Sequence, residues 1–508
     1  MNPSIRLLAP VFSLSAFAFL LFGVDAMAEQ ATDRLRRLSF WLGLIGSVVT
    51  ALLLVAPSAD LGPHIFGRQM LIWDGLSYFL SWIAVLTLFF VILLSERYRE
   101  FTGMRLSAYF GLLLLSTSGL ILLSSANDFL MIFLSIELFG VPAFILTGYL
   151  RHKERSSEAA IKFFLIGAFS SAMLAYGISI IYGLIGSTSL VQLHQSLPLL
   201  QDKAPLAMLI VFFLIVSFGF KIALVPFHMW VPDVFEGAPT PIAAFVSVAP
   251  KIAGAAIAVR VLGLALNPSS LGVLNVVAVL AVLTMTIANI IGLQQTNVVR
   301  LLAYSSIAHM GYLLLGLVAS STMGLSSVYI YGWVYLFMNL GAFAVVICLG
   351  NETGSNDLSS YAGLAKRAPF VSALLVLFLI SLAGLPPTAG FVAKFFVLSA
   401  AFQSHWTWLV LAASANSVIS IGYYFKILHA MYFQKPVDET PIKMPMSTRF
   451  TLAATSFFTL FLGIFPQIYL VKSQSLAESS QIRAISAPVS IAEMAPAAPA
   501  TPEAAVQP

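Results

Sequence analysis

Runs of about 20 apolar residues follow one another along almost the whole of this chain, and the loops between them are short. A run of that kind hides from water only in hydrocarbon or among other such runs, and its backbone has to be satisfied internally. The fold is therefore restricted to an all-α bundle of membrane-crossing helices. Fourteen spans are predicted, near residues 4–25, 38–56, 75–95, 107–125, 128–149, 162–186, 205–227, 241–263, 271–292, 301–320, 326–350, 370–399, 407–430 and 450–471. Composition agrees: 59% of the 508 residues are hydrophobic and 9% are charged, where soluble domains carry about 25% charged residues.

Several function classes fall away at once. One cysteine, Cys348, excludes a disulfide framework within the chain and an iron–sulfur cluster, which takes about four thiolates. Acidic residues within the spans are too scattered for a dedicated cation cage, so no metal site is expected. The net charge of +5 comes with no basic run and no aromatic-interleaved basic patch, so no nucleic-acid partner is expected.

The excess charge has a topological explanation. With the N-terminus outside, most Lys and Arg fall in cytoplasmic loops, among them Arg34, Arg36, Arg37, Arg97, Arg99, Arg105, Arg151, Lys153 and Arg155. Short loops rich in Lys and Arg resist translocation, which predicts both termini on the non-cytoplasmic face. Residues 1–28 also read as a secretory signal, with Arg6, an apolar run and a cleavage-like Ala26-Met27-Ala28. Cleavage there would leave Arg34, Arg36 and Arg37 outside, so a retained first helix is expected. Residues 487–508, of low complexity and without apolar periodicity, read as a disordered tail.

Charges inside the spans carry the functional signal. They are Glu137 in FLMIFLSIELFGVPAFIL, Lys221 in LIVFFLIVSFGFKIALVPF, Lys251 in PIAAFVSVAPKIAGAAIAV, Lys394 in PPTAGFVAKFFVLSAAF and Lys426 in VISIGYYFKILHAMYF. A charge at the bilayer centre costs about 2.5–3.5 kcal/mol on insertion scales, so it faces a protein interior or a wet cavity and commonly belongs to an ion or proton path. Two spans are also interrupted. Pro226, Pro232, Pro239, Pro241 and Pro250 surround Lys221, His228 and Lys251, while Gly384, Pro386, Pro387 and Gly390 precede Lys394. Proline removes a backbone donor and frees carbonyls that need protein or water in hydrocarbon, and paired interrupted spans point to an ion path.

At these same residues the chain resembles the antiporter-like membrane subunits of the proton-pumping NADH:quinone oxidoreductase, respiratory complex I, most closely its N-type subunits. The resemblance covers about residues 70–470 and is most specific in NDFLMIFLSIELFGVPAFIL, FKIALVPFHMWVPDVFEGAPTPIAAF, NVVRLLAYSSIAHMGYLLLG and GLPPTAGFVAKFFV. It implies about fourteen helices with two inverted five-helix repeats, each containing a discontinuous helix. The division would be residues 1–106 for helices 1–3, 107–263 and 264–430 for the repeats, 431–471 for the last loop and helix, and 472–508 for the tail. Glu137 is similar to the family's fifth-helix glutamate, Lys221 to the lysine of the broken seventh helix, and Lys251 to the eighth-helix lysine. Lys394 matches the charged position of the broken twelfth helix, where lysine rather than glutamate favours N- or L-type subunits. An Ala/Pro tail in place of a lateral helix favours N.

The implied function is proton translocation coupled to quinone reduction, in a chain without a redox centre of its own. NADH, FMN, iron–sulfur clusters and quinone would belong to partner subunits of the membrane and peripheral arms, in a bacterial inner membrane. Lys162, four residues after Glu158, and His228, His309 and Tyr424 are further candidates for the path. Each site also has a plainer reading: a static Glu137–Lys221 ion pair, a surface pair at Lys162, packed histidines, a core tyrosine. Lys426 reads equally as a residue snorkelling to the interface, and Asp74 and Asp128 as helix caps. A cation/proton antiporter subunit, a membrane hydrogenase subunit and a structural spacer remain alternatives.

Overall fold

The computed structural model describes residues 3–28, 32–55, 64–66, 70–196, 198, 203–265, 272–436, 442 and 444–481. The helices are α1 (Pro3–Met27), α2 (Asp33–Val55), α3 (Gly75–Ser95), α4 (Ser107–Ser125), α5 (Phe129–Thr147), α6 (Glu154–Ile185), α7 (Ala204–Ile222), α8 (Trp230–Gly237) and α9 (Thr240–Ala258). They continue with α10 (Val273–Gln294), α11 (Val298–Val318), α12 (Thr322–Thr353), α13 (Pro369–Ala383), α14 (Ala389–Gln403), α15 (Thr407–Phe433), α16 (Met446–Ile464) and α17 (Gln467–Gln481). A small antiparallel hairpin, His64–Phe66 with Leu71–Trp73, precedes α3. Polar caps fix several starts. Asp74 accepts from the Ser77 amide at 2.9 Å, Asp128 from that of Leu130 at 2.8 Å, and Asn297 from that of Val299 at 3.0 Å.

Among the described residues twelve helices are long and apolar enough to cross a membrane: α1–α7, α9–α12 and α15. The span expected at 370–399 is divided into α13 and α14, each of 15 residues. The last span is a correction: instead of running straight, α16 meets α17 at a bend of 84°. The expected tail from residue 472 is a second one, since α17 is helical to Gln481. Ser473, Leu476, Ala477 and Ser480 of α17 are buried, and the helix packs on α3 and α12. A Cβ on Gly75 would lie 2.2 Å from the Leu476 carbonyl oxygen, and Ser480 Oγ accepts from the Leu76 amide at 2.9 Å. Close fit of small residues, rather than an apolar run, holds this helix. The rest of the tail lies outside the described residues.

α9 and α11 are surrounded by protein along their length, and α12 nearly so. These three helices pack on one another at the centre of the bundle. Screened from lipid, they accommodate polar side chains wherever those side chains find partners.

Candidate proton path

Both interruptions are built alike. α7 ends at Ala223 with φ +61° and α13 at Gly384 with φ +85°, and a cis X-Pro bond follows each, Val225-Pro226 and Pro386-Pro387. The freed groups find partners. The Val225 amide donates to Thr284 Oγ1 on α10 at 3.1 Å, and the Ala383 carbonyl at the second break accepts from Lys394 Nζ at 2.8 Å. Lys394 is thus held by the helix end that the interruption exposes. Its ammonium also stands 4.6 Å from the centre of the Tyr312 ring.

Lys221 is buried at the end of α7, its ammonium 5.2 Å from the Phe220 ring centre and 5.4 Å from that of Phe139. Glu137 acts on it electrostatically, but no ion pair within 4.0 Å joins them. The static ion pair that the sequence left open as the plainer reading is not formed; the half-buried Glu137 carboxylate accepts from Ser171 Oγ on α6 instead. Gly254 lets α7 approach α9 at this level: a Cβ there would come 3.3 Å from Lys221 Cβ.

Lys251, 0% exposed, donates to Ser306 Oγ at 2.6 Å. One face of α9 carries Thr240, Ser247 and Lys251, at spacings of two turns and one. Opposite, Asn339 on α12 donates to Ser247 Oγ at 2.6 Å, and its Oδ1 is buried without a partner. One turn away along α12, the buried Tyr335 hydroxyl is likewise unpartnered. At the start of α9 the Tyr98 hydroxyl lies 3.2 Å from Thr240 Oγ1, under a cavity of about 310 Å³ lined by Glu100, His152 and Lys153 among others.

His309 stands between the two buried lysines, within electrostatic reach of both Lys251 and Lys394. Its Nδ1 is 2.6 Å from the Tyr331 hydroxyl and its Nε2 3.4 Å from that of Tyr424, which in turn lies 2.5 Å from Ser305 Oγ. A neutral imidazole donates at one nitrogen and accepts at the other, which suits it to pass a proton without moving far. His228, in the first break, is buried with Nδ1 unpartnered.

Lys162 belongs to a different setting. It pairs with Glu158 and Asp233 at 2.7 Å each; Arg300 joins Asp233 at 3.0 Å and Glu236 at 2.7 Å, and Arg155 joins Glu236 at 3.1 Å. This network ties α8 to α6 and α11. Lys426 donates to the Leu293 and Gln295 carbonyls at 3.0 Å each, closing the end of α10. Asp74 does more than cap α3: Arg260, in the π-helical turn after α9, bridges it at 2.7 Å, the two side chains only 3% and 2% exposed. Sequence reading missed Arg260, Asp233 and Arg300, and it missed Ser305, Ser306, Tyr331 and Asn339. The signal available for Asp233 was its place one turn from Glu236 in a motif already singled out; for the serines there was none.

Residues 126–420 match the family model for the membrane region of the NADH:quinone oxidoreductase and Mrp antiporter proteins. The chain belongs to the NADH:quinone oxidoreductase/Mrp antiporter family. The match contains both breaks and every candidate above except Tyr424, Lys426 and the outlying Asp74. NADH-quinone oxidoreductase subunit N 2 of Rhizobium meliloti (strain 1021) is 40% identical over 90% of this chain and 94% of its own length. NAD(P)H-quinone oxidoreductase subunit 2 of Picosynechococcus sp. is 44% identical over 72% and 70%. Among solved structures, a chain of respiratory complex I from Thermus thermophilus with bound aureothin superposes with a TM-score of 0.76 at 28% identity, covering 91% of this chain and 98% of that one. A chain of the Mrp complex from Dietzia sp. shares the family fold, with a TM-score of 0.84 at 18% identity over 95% of this chain and 98% of its own.

Proposed function

We propose that this chain carries protons across the membrane as an N-type subunit of NADH:quinone oxidoreductase, driven by quinone reduction in partner subunits. The observation that carries the reading is the series of buried hydrogen-bonding groups from Lys251 on α9 through Ser306 and the Ser305, Tyr424 and His309 cluster towards Lys394 at the second interruption. Relatives named as subunit N supply the assembly. Loop charges support both termini on the non-cytoplasmic side of a bacterial inner membrane.

In this reading a proton arrives from the cytoplasmic cavity above Tyr98 and Thr240 and follows the Thr240–Ser247–Asn339 face to Lys251. The two unpartnered groups on α12, Asn339 Oδ1 and the Tyr335 hydroxyl, are suited to hold water there. Lys251 gives its proton to a serine hydroxyl that releases another, His309 accepts at one nitrogen while donating at the other, and Lys394 receives it. Lys394 releases it on the far side when its ammonium leaves the Ala383 carbonyl. Glu137 adjusts the charge state of Lys221 by moving towards it: on approach to 4 Å their attraction would amount to about 4 kcal/mol for an effective dielectric near 20. Loss of the Ser171 contact frees Glu137 to approach. Lys162 and His228 flank this first break, Lys162 as part of the ion-pair network that fixes α8.

NADH-driven proton uptake into inverted membrane vesicles carrying Lys394→Ala, with assembly checked on the same sample, tests the reading. Reduced uptake in an assembled complex supports it. Full uptake with full electron transfer overturns it.

A further inference from the structure

A cavity of about 400 Å³ opens between the start of α2, the end of α3 and the start of α4, lined by Arg36, Arg37, Arg97, Asp33, Glu96 and Trp41 among others. Several other cations on the same face are paired: Lys153 with Glu100 at 2.5 Å, and Arg155, Lys162 and Arg300 with carboxylates at 2.7–3.1 Å. Among the described residues Arg36, Arg37 and Arg97 have no carboxylate within 4.0 Å, although two line the cavity with them. Arg36 is oriented instead by donating to the Glu96 backbone carbonyl at 2.8 Å.

Directly below, α2 exposes Leu38, Trp41, Ile45, Val48 and Leu52. Their spacing of three and four residues draws one continuous apolar stripe down the helix. Trp41, 56% exposed, sits where the stripe meets the arginines. An indole at that level is the usual marker of the membrane–water boundary. A cationic cavity at the boundary, continued by an apolar stripe, complements a molecule that has an anionic head and long apolar chains.

We propose that this cavity binds the phosphate of an anionic phospholipid, with the guanidiniums on the head group and the acyl chains along the α2 stripe. The forked guanidinium suits a phosphate better than an ammonium does, and basic pockets between helices on this side of a membrane bind such heads. The proposal needs only the membrane setting; it is independent of the proton path, so loss of lipid with normal pumping, or the reverse, separates the two.

The assembled complex is purified in detergent, exchanged into dioleoylphosphatidylglycerol or dioleoylphosphatidylcholine mixed micelles, and weighed by native mass spectrometry. The expected result is retention of phosphatidylglycerol over phosphatidylcholine, falling by roughly fivefold per guanidinium removed in R97Q and in R36Q/R37Q/R97Q, and falling as salt is raised. R97Q carries the test if the triple variant does not assemble, because the Arg97 side chain makes no hydrogen bond among the described residues. Equal retention of both lipids, unchanged retention in R97Q, displacement by millimolar inorganic phosphate, or a cross-link from position 41 to another subunit would each overturn it.

Discussion

Lys251 is the most completely enclosed charge-bearing side chain on the proposed path, and its partner is a single serine hydroxyl. Removing that hydroxyl strands a buried donor, at a cost of about 1–3 kcal/mol. Ser306→Ala is therefore expected to leave the complex assembled but slow proton uptake by roughly tenfold, while Ser306→Thr, which keeps the hydroxyl, restores most of it; vesicle acidification rates compare the two. Gly384→Ala is expected to act at the other end. A Cβ there would lie 2.5 Å from Lys394 Cδ, on a backbone with φ +85°. Pumping should fall about as far as in Lys394→Ala, with quinone reduction following it down. The lysines were legible in the sequence because a charge in an apolar run is costly and therefore conspicuous. Ser305, Ser306, Tyr331 and Asn339 were not, since hydroxyls and amides are common in helices and only the tertiary contacts single out these four.

At the scale of elements, the interruptions were readable from proline and glycine, and so were the caps at Asp74 and Asp128. Pairings between distant elements were hidden. Arg260 lies at the edge of a predicted span, where a basic residue reads as interfacial, yet a π-helical turn carries it inward to Asp74. α17 was hidden for a related reason: its fit depends on Gly75 and on serines, which give no periodic signal. Breaking a buried ion pair on one side costs about 3–5 kcal/mol, whereas replacing both partners by apolar groups is close to neutral. Arg260→Met alone is expected to prevent assembly, and Asp74→Asn/Arg260→Met, which removes both charges but keeps an acceptor for the Ser77 amide, to restore both assembly and pumping, as measured by native gels and vesicle acidification. A double variant that assembles but does not pump would move this pair onto the proton path.

For the whole molecule, Glu137 poses the question of what surrounds the chain. On α5 it borders a stripe of exposed apolar side chains, Leu130, Leu134, Val141 and Ile145, and a carboxylate beside lipid is costly. The expected resolution is that a neighbouring subunit covers α5. Cysteines placed at Leu134 and Val141 should cross-link to another subunit through a short bis-maleimide in assembled complexes, and labelling without any cross-link would show that lipid covers the stripe. Cys348 is buried and does not interfere. The central claim is that protons travel along the buried polar line from α9 to the second broken helix, and Lys251→Met tests it most directly by removing the ammonium where the entry face meets that line. The measurement is the ratio of protons moved to NADH oxidised in inverted vesicles, with subunit content determined on the same preparation. The account predicts a lowered ratio or a parallel loss of both activities in a fully assembled complex; an unchanged ratio at an unchanged rate would contradict it.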